Sequence, residues 1–135
     1  MKVLLDTNVI VDLFLRRASF KDVSRIWNAN KANLLSACVV ASSVTDIFYI
    51  TNRYGVKGDA RYAIQQTLQH CTILDTNRAI LILGESGNGI DFEDDVQIAS
   101  AIMHKMNFIV TSDRKGFRQS PVAVVSPADF VVNHL

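Results

Sequence analysis

Lys2-Val-Leu-Leu-Asp-Thr-Asn-Val-Ile-Val-Asp12 is the stretch that decides the fold. Val3, Leu4 and Leu5 form an unbroken apolar run, the pattern of a strand covered on both faces. The run stops at Asp6, and Thr7 and Asn8 are residues that end strands and cap helices. A helical pattern starts at once, with Ile10, Leu13 and Phe14 on one face. Asp6 is therefore expected at the carboxyl end of a central parallel strand, where open α/β sheets bind ligands. A carboxylate beside a core is costly unless something pairs with it. Asp6 calls for a cation.

Working outward, the same alternation continues. Ser19 caps a second helix, with Phe20, Val23, Ile26 and Trp27 at helical spacing to about Lys31. Leu34–Ala41 reads as a second strand. Ser42 and Ser43 then cap a third helix, whose buried face is Val44, Ile47, Phe48 and Thr51. Gly55 and Gly58 punctuate before a fourth helix, with Ala60, Ile64, Leu68 and Cys71 inward. Thr72–Leu74 is a short strand, and Asn77–Leu83 is a helix with Thr76 as its cap. Gly84–Gly89 follows a helix rather than a strand, so it reads as a connector and not a phosphate cradle. Phe92–Met106 is helical, with Val96, Ala99, Ile102, Met103 and Met106 inward. Phe108–Val110 and Val122–Val125 are strands, and Ser126-Pro127 opens a last helix. Strands alternating with helices mean an α/β fold with a mainly parallel sheet.

Composition narrows the function classes. The 135 residues suit a single domain, residues 1–135, with one sizeable core. A hydrophobic content of 49% and a charged content of 20% exclude a disordered chain. A net charge of +1 gives no overall field for nucleic acid, so any such binding must use local patches. Asp6 and Asp12 interrupt any signal-peptide core, and no apolar run approaches a membrane span. Cys38 and Cys71 sit in apolar contexts without CxxC spacing and read as buried free thiols. A cytoplasmic protein is expected.

Acids at element ends carry the chemistry. Asp113 ends the Phe108–Val110 strand as Asp6 ends the first, so both carboxylates should emerge on one edge of the sheet. Asp46 lies in the first turn of the helix opened by Ser42 and Ser43. Asp94 and Asp95 begin the helix after the Gly-rich loop, where negative charge also suits the macrodipole. Taken singly, Asp46, Asp94 and Asp95 are ordinary helix N-terminal residues and Asp113 is an ordinary turn residue. Converging on one cleft they repel, and the cheapest remedy is one or two hard divalent cations. A carboxylate site without His or Cys suits Mg²⁺ or Mn²⁺, which activate water for phosphodiester hydrolysis.

Asp6-Thr-Asn8 after an apolar strand, Ser42-Ser-Val-Thr-Asp46-Ile-Phe-Tyr49, Phe92-Glu-Asp-Asp-Val-Gln-Ile-Ala99, Thr111-Ser-Asp-Arg-Lys-Gly-Phe117 and Ser126-Pro-Ala-Asp-Phe130 stand in a telling order. No one motif is specific, but in this sequence and spacing the chain strongly resembles a PIN-domain protein over nearly its whole length. The resemblance implies a three-layer α/β/α, Rossmann-like fold around a mainly parallel sheet of about five strands. It further implies an acidic Mg²⁺ or Mn²⁺ site that cleaves single-stranded RNA. A VapC-like role follows from it: the toxin of a toxin–antitoxin pair, neutralised by an antitoxin protein and often homodimeric.

Carried over by position, Asp6, Asp46, Asp94 and Asp113 match the metal-binding acids. Asn8 and Thr111 match the polar residues that orient them, with Ser43 a weaker candidate. The second acid is usually Glu, so Asp46 is one methylene short. Glu93, Asp94 and Asp95 follow one another, and helix neighbours point about 100° apart, so only one can aim squarely at a metal. Asp94 is the choice and Asp95 the fallback.

Basic residues cluster at Arg16, Arg17, Lys21 and Arg25, at Arg53, Lys57 and Arg61, and at Arg114, Lys115 and Arg118. Most read as solvated faces. Arg114, Lys115 and Arg118 directly follow a proposed ligand, where a phosphate backbone would pass, and Arg53 and Tyr49 extend the face of Asp46. His70, His104 and His134 lack ligand spacing. Two other readings stay open. One is a catalytically silent PIN-like module that binds RNA or protein. The other is an aspartyl-nucleophile phosphatase resembling the haloacid-dehalogenase family, which wants Asp where Asn8 stands.

Overall fold

A computed structural model describes all residues from Met1 to Leu135. The elements run β1 (Lys2–Leu5), α1 (Thr7–Leu15), α2 (Phe20–Lys31), β2 (Ser36–Val40), α3 (Ala41–Tyr54) and α4 (Asp59–His70). They continue with β3 (Thr72–Leu74), α5 (Arg78–Glu85), α6 (Phe92–Met103), β4 (Phe108–Val110), a 3-10 turn (Arg114–Phe117), β5 (Ala123–Val125) and α7 (Pro127–His134). The five strands form one sheet in the order β3-β2-β1-β4-β5, and every pairing is parallel. The expected α/β/α architecture around a parallel sheet is the one observed.

β1 lies at the centre because both of its faces are apolar. Val3 and Leu5 pack into a core with α1, α2, α3, α4 and α7, whereas Leu4 points to the opposite core, built on α5 and α6. Alternation along β2 works the same way, with Ala37 and Val39 on the first face and Cys38 and Val40 on the second. Such strands read as continuous hydrophobic runs because neither face meets water. Both cysteines are free and buried, and no helix is long and apolar enough to cross a membrane.

Several local expectations shift. α3 starts at Ala41 with the extended Val40 in the cap position, because Val40 is still paired to Leu74 in the sheet. Ser42 and Ser43 therefore lie inside the first turn, and Asp46 falls in the second. α4 buries Ala60, Ala63 and Thr67, while Leu68 is 55% exposed; the Thr67 hydroxyl satisfies itself on the Ala63 carbonyl at 2.7 Å. Asn77, not Thr76, caps α5 by accepting from the Ile80 N–H at 3.0 Å. Gly84 belongs to that helix, where a Cβ would sit 3.1–3.3 Å from Val96 of α6. α6 stops at Met103, leaving Ile102 and Met103 partly in solvent, and Met106 returns to the core after a left-handed turn at Lys105.

One buried polar residue ties three elements together. Asn30, near the end of α2, donates to the His70 carbonyl at 2.7 Å and accepts from the Ala37 N–H at 2.9 Å. Removing its amide would strand a strand N–H and a helix-end carbonyl. Asn30→Ala should lower the unfolding free energy by about 1–3 kcal/mol, read as a lower urea midpoint at unchanged slope.

Candidate active site at the carboxyl edge of the sheet

The chain leaves β1 toward β2 and β3 on one side and returns to β4 and β5 on the other. The turning point lies between the carboxyl ends of β1 and β4, the place where open α/β sheets leave a crevice. Leu5 is paired with Val110, so Asp6 and Thr111 emerge level with one another. The backbone holds this edge closed: the Asp6 N–H donates to Val110 and the Thr111 N–H to Val125, both at 3.0 Å.

Asp6 occupies the cap position of α1 but makes no capping bond with its side chain. Its carboxylate turns sideways and accepts from Gln97 Nε2 at 2.9 Å and from Thr111 Oγ1 at 2.7 Å. Gln97 is 1% exposed. Its amide must point nitrogen-first at the carboxylate, which leaves Oε1 buried without a protein partner. Thr111, expected among the residues that orient the acids, is placed against Asp6. Gln97 was not foreseen, because a glutamine midway along a helix carries no local signal. Burial pushes the Asp6 carboxyl above the usual carboxylate range, the Gln97 and Thr111 hydrogen bonds pull it back, and Asp113 adds a smaller push upward.

The three acids opening α6 part company. Asp94 lines the crevice with Asp6 and Asp113, and so does Glu93. Asp95 does not; it is buried and accepts from the Gly89 N–H at 2.9 Å, so its carboxylate serves the preceding loop. Of the expected choice and its fallback, Asp94 faces the crevice and Asp95 faces the loop. A Cβ on Gly116 would run into the Asp94 carboxylate, so the bare backbone there makes the room it occupies. Glu93 accepts from Thr7 Oγ1 at 2.7 Å. Asp91 caps α6 on the Glu93 N–H at 2.9 Å and also lines the crevice. The expectation of one inward acid from this run gives way to two, because the longer Glu93 reaches back across α1 to Thr7.

Other expected positions sort as follows. Asn8 lines the crevice from the exposed start of α1 and bonds to none of the acids; Thr7 does the orienting instead. Ser43 is buried with its hydroxyl unpartnered and lies outside the crevice wall. Asp46 is half-buried and close enough to Glu93 to raise its pKa, yet Ile50 is the α3 residue that lines the crevice. The short side chain of Asp46, now a turn further into α3, accounts for the difference. Arg114 pairs with Asp129 of α7. Tyr49 and Arg53 contact each other on the outer face of α3, with the guanidinium 3.4 Å from the phenol oxygen.

Asp6, Asp91, Glu93, Asp94 and Asp113 therefore line one crevice of about 110 Å³ with no lysine or arginine in its wall. Asp94 is pushed up to about 7, first by burial and then by Asp6, Asp91, Glu93 and Asp113. Burial raises Glu93 as well, with Asp46, Asp6 and Asp91 adding to it and the Thr7 bond opposing it. Unrelieved carboxylates with hard oxygen donors are the donor set that suits Mg²⁺ or Mn²⁺. No three of them already stand close enough to hold an ion, so a cation would have to draw them inward against their present repulsion.

A parallel α/β sheet with a carboxylate-rich crevice at its switch point defines an acid-site α/β protein. The sequence model of the PIN domain matches residues 2–115, and the chain belongs to the PIN-domain family. No curated protein is detectably similar in sequence. Solved structures share the fold at low identity. VapBC2 from Rickettsia felis, bound to a DNA fragment from its promoter, is 16% identical with a TM-score of 0.70 over 93% of this chain and 98% of that one. VapBC-1 from nontypeable Haemophilus influenzae is 15% identical with a TM-score of 0.69 over 95% and 99%. Mycobacterium tuberculosis VapC20, a sarcin–ricin-loop-cleaving toxin, is 12% identical with a TM-score of 0.67 over 79% and 86%.

The raised acids make a stability prediction. A carboxyl whose folded pKa is elevated binds protons more tightly folded than unfolded, so its folded state loses stability as pH rises. For Asp94 that window runs from 3.8 to about 7. In EDTA, the Tm should fall between pH 4 and pH 8, and Asp94→Asn should flatten that decline and raise the Tm at pH 8. A Tm that climbs over the same range would contradict the crowding of these acids.

Proposed function

We propose that this protein is a Mg²⁺- or Mn²⁺-dependent endoribonuclease that cuts single-stranded RNA, and that it is the toxin of a toxin–antitoxin pair. The observation that carries the reading is the crevice in which Asp6 after β1, Glu93 and Asp94 of α6, and Asp113 after β4 converge with no cationic side chain in its wall. PIN-family membership supports nuclease chemistry, and the likeness to VapBC complexes supports an antitoxin protein as partner. A second copy of the chain belongs to the same reading, as does a cytoplasmic setting, where the RNA is.

Asp6, Asp94 and Asp113 would hold the cation, with Glu93 alongside and Asp46 behind it. A bound divalent ion supplies Lewis acidity, lowering the pKa of water and countering charge on phosphate oxygens. The chain's own contribution is to aim the acids. Gln97 and Thr111 fix both oxygens of Asp6, and Thr7 fixes Glu93. The Lys115 N–H holds Asp113 Oδ1 at 3.1 Å. These bonds set the direction of Asp6, Glu93 and Asp113 before a cation draws the acids together.

Asp6→Asn is a clean test because the surrounding bonds can survive it. Asn would keep its oxygen toward Gln97 Nε2 and offer its NH₂ to Thr111 Oγ1, whose proton can turn to the Asp113 carbonyl 3.3 Å away. Cleavage of single-stranded RNA with Mn²⁺ should drop by about a thousandfold or more, the scale of a lost charge at a metal site. The Tm in EDTA should hold or rise, since one buried charge is gone. Wild-type cleavage rates in this variant would defeat the assignment. A wild-type protein that shows no saturable Mn²⁺ binding would instead mark a catalytically silent module.

A further inference from the structure

Beside the acidic crevice lies a larger cavity of about 500 Å³, and the two share Asp91, Asp94 and Asp113. Across this cavity the charge changes sign. Lys115 and Arg118, on the turn that follows Asp113, line it together with the amides of Asn88 and Gln119, and Asp95 joins the three shared acids in its wall. Ile90 adds the single apolar side chain, fully exposed to solvent. Neither cation is engaged in an ion pair; the pair in this region is Arg114 with Asp129. Arg114 is therefore committed to α7, and Lys115 and Arg118 remain free beside the acids.

The loop that forms the opposite wall is held in place. Asp95, 8% exposed, accepts the Gly89 N–H, and the Ser86 hydroxyl bonds to the Leu83 carbonyl at 2.7 Å. This fixes where Asn88 and Ile90 stand. The diversion of Asp95 from the acidic crevice thus has a structural product: a shaped neighbouring cavity.

We infer that this cavity takes the nucleotide flanking the scissile bond and sets the base preference at that one position. The inference rests on the ribonuclease reading. A backbone with one phosphate at the acids must carry its next phosphate past them, and Lys115 and Arg118 stand where that second charge is relieved. Asn88 and Gln119 each present a donor and an acceptor, the pairing that reads the edge of an unstacked base. Ile90 offers an apolar shelf for the base face. The volume falls within the usual range of roughly 300–1,000 Å³ for a small-molecule site.

The test uses the full chain with Mn²⁺ and a pool of single-stranded RNA randomised around the cut, with the cut ends sequenced. Wild type should show a base bias at one position next to the break. Asn88→Gly with Gln119→Ala should erase that bias while cutting continues; Gly suits the left-handed backbone at Asn88, where φ is 53°. Lys115→Ala with Arg118→Ala should raise KM about tenfold or more, the loss of charge-assisted bonds. It should also lower the salt dependence by roughly 0.7 per lost phosphate contact. An unchanged bias in the first variant and an unchanged KM in the second would overturn the cavity's role and leave the nuclease reading intact. If wild type cuts no RNA, the nuclease reading falls, and binding of a short labelled RNA decides the cavity separately. Affinity that depends on Lys115 and Arg118 supports it; affinity indifferent to them overturns it.

Discussion

The rest of the structure depends on a buried carboxylate, Asp6, at the end of the central strand. It is held by two neutral donors rather than by a positive charge: Gln97 from α6 and Thr111 from the end of β4. Neutral donors compensate part of the desolvation and leave the negative charge standing. That choice ties three elements to one point, since α6 must lie across the sheet at a depth where Gln97 can reach. It also leaves the site without a positive charge of its own, which a lysine or arginine partner would have supplied.

Around that point the neighbouring acids divide according to reach and direction. Glu93 extends to Thr7 on α1, Asp94 settles into space left by the missing side chain of Gly116, and Asp95 turns back to the Gly89 N–H. Three consecutive acids thus do three different things on one helix turn. Two line the crevice, where burial first and the neighbouring acids second raise their pKa values. The third spends its charge on a backbone N–H and shapes the adjoining loop. The crevice concentrates negative charge while the turn after Asp113 concentrates positive charge beside it.

Much of this architecture was legible in the residues. β1 and β4 have unbroken apolar runs bounded by polar stops, and the order of acids around them matches the family pattern. Less legible were the joins. Val40 remains in the sheet and forces α3 to begin directly after it, which no propensity at Ser42 or Ser43 announces. In α4 the apolar positions fit two overlapping faces, and only packing against α3 selects Ala63 and Thr67 over Leu68. Residue type and position point to Asn8 and Ser43 for orienting roles. Thr7 and Gln97 perform them because they face the acids in space.

By itself the amino-acid sequence determined the fold class, the central place of β1 and the identity of Asp6 and Asp113 as strand-end acids. These follow from hydrophobic periodicity and from where it stops, which are properties of neighbours in the chain. Tertiary structure put Asp94 in the crevice and turned Asp95 to the loop, brought in Glu93 and Gln97, bound Arg114 to α7 and left Lys115 and Arg118 free. Those outcomes turn on the rotation of α6 over the sheet and on which side chain finds a partner across it. Residues 91 positions apart, such as Asp6 and Gln97, meet only when the whole domain is folded, and no local pattern records that meeting.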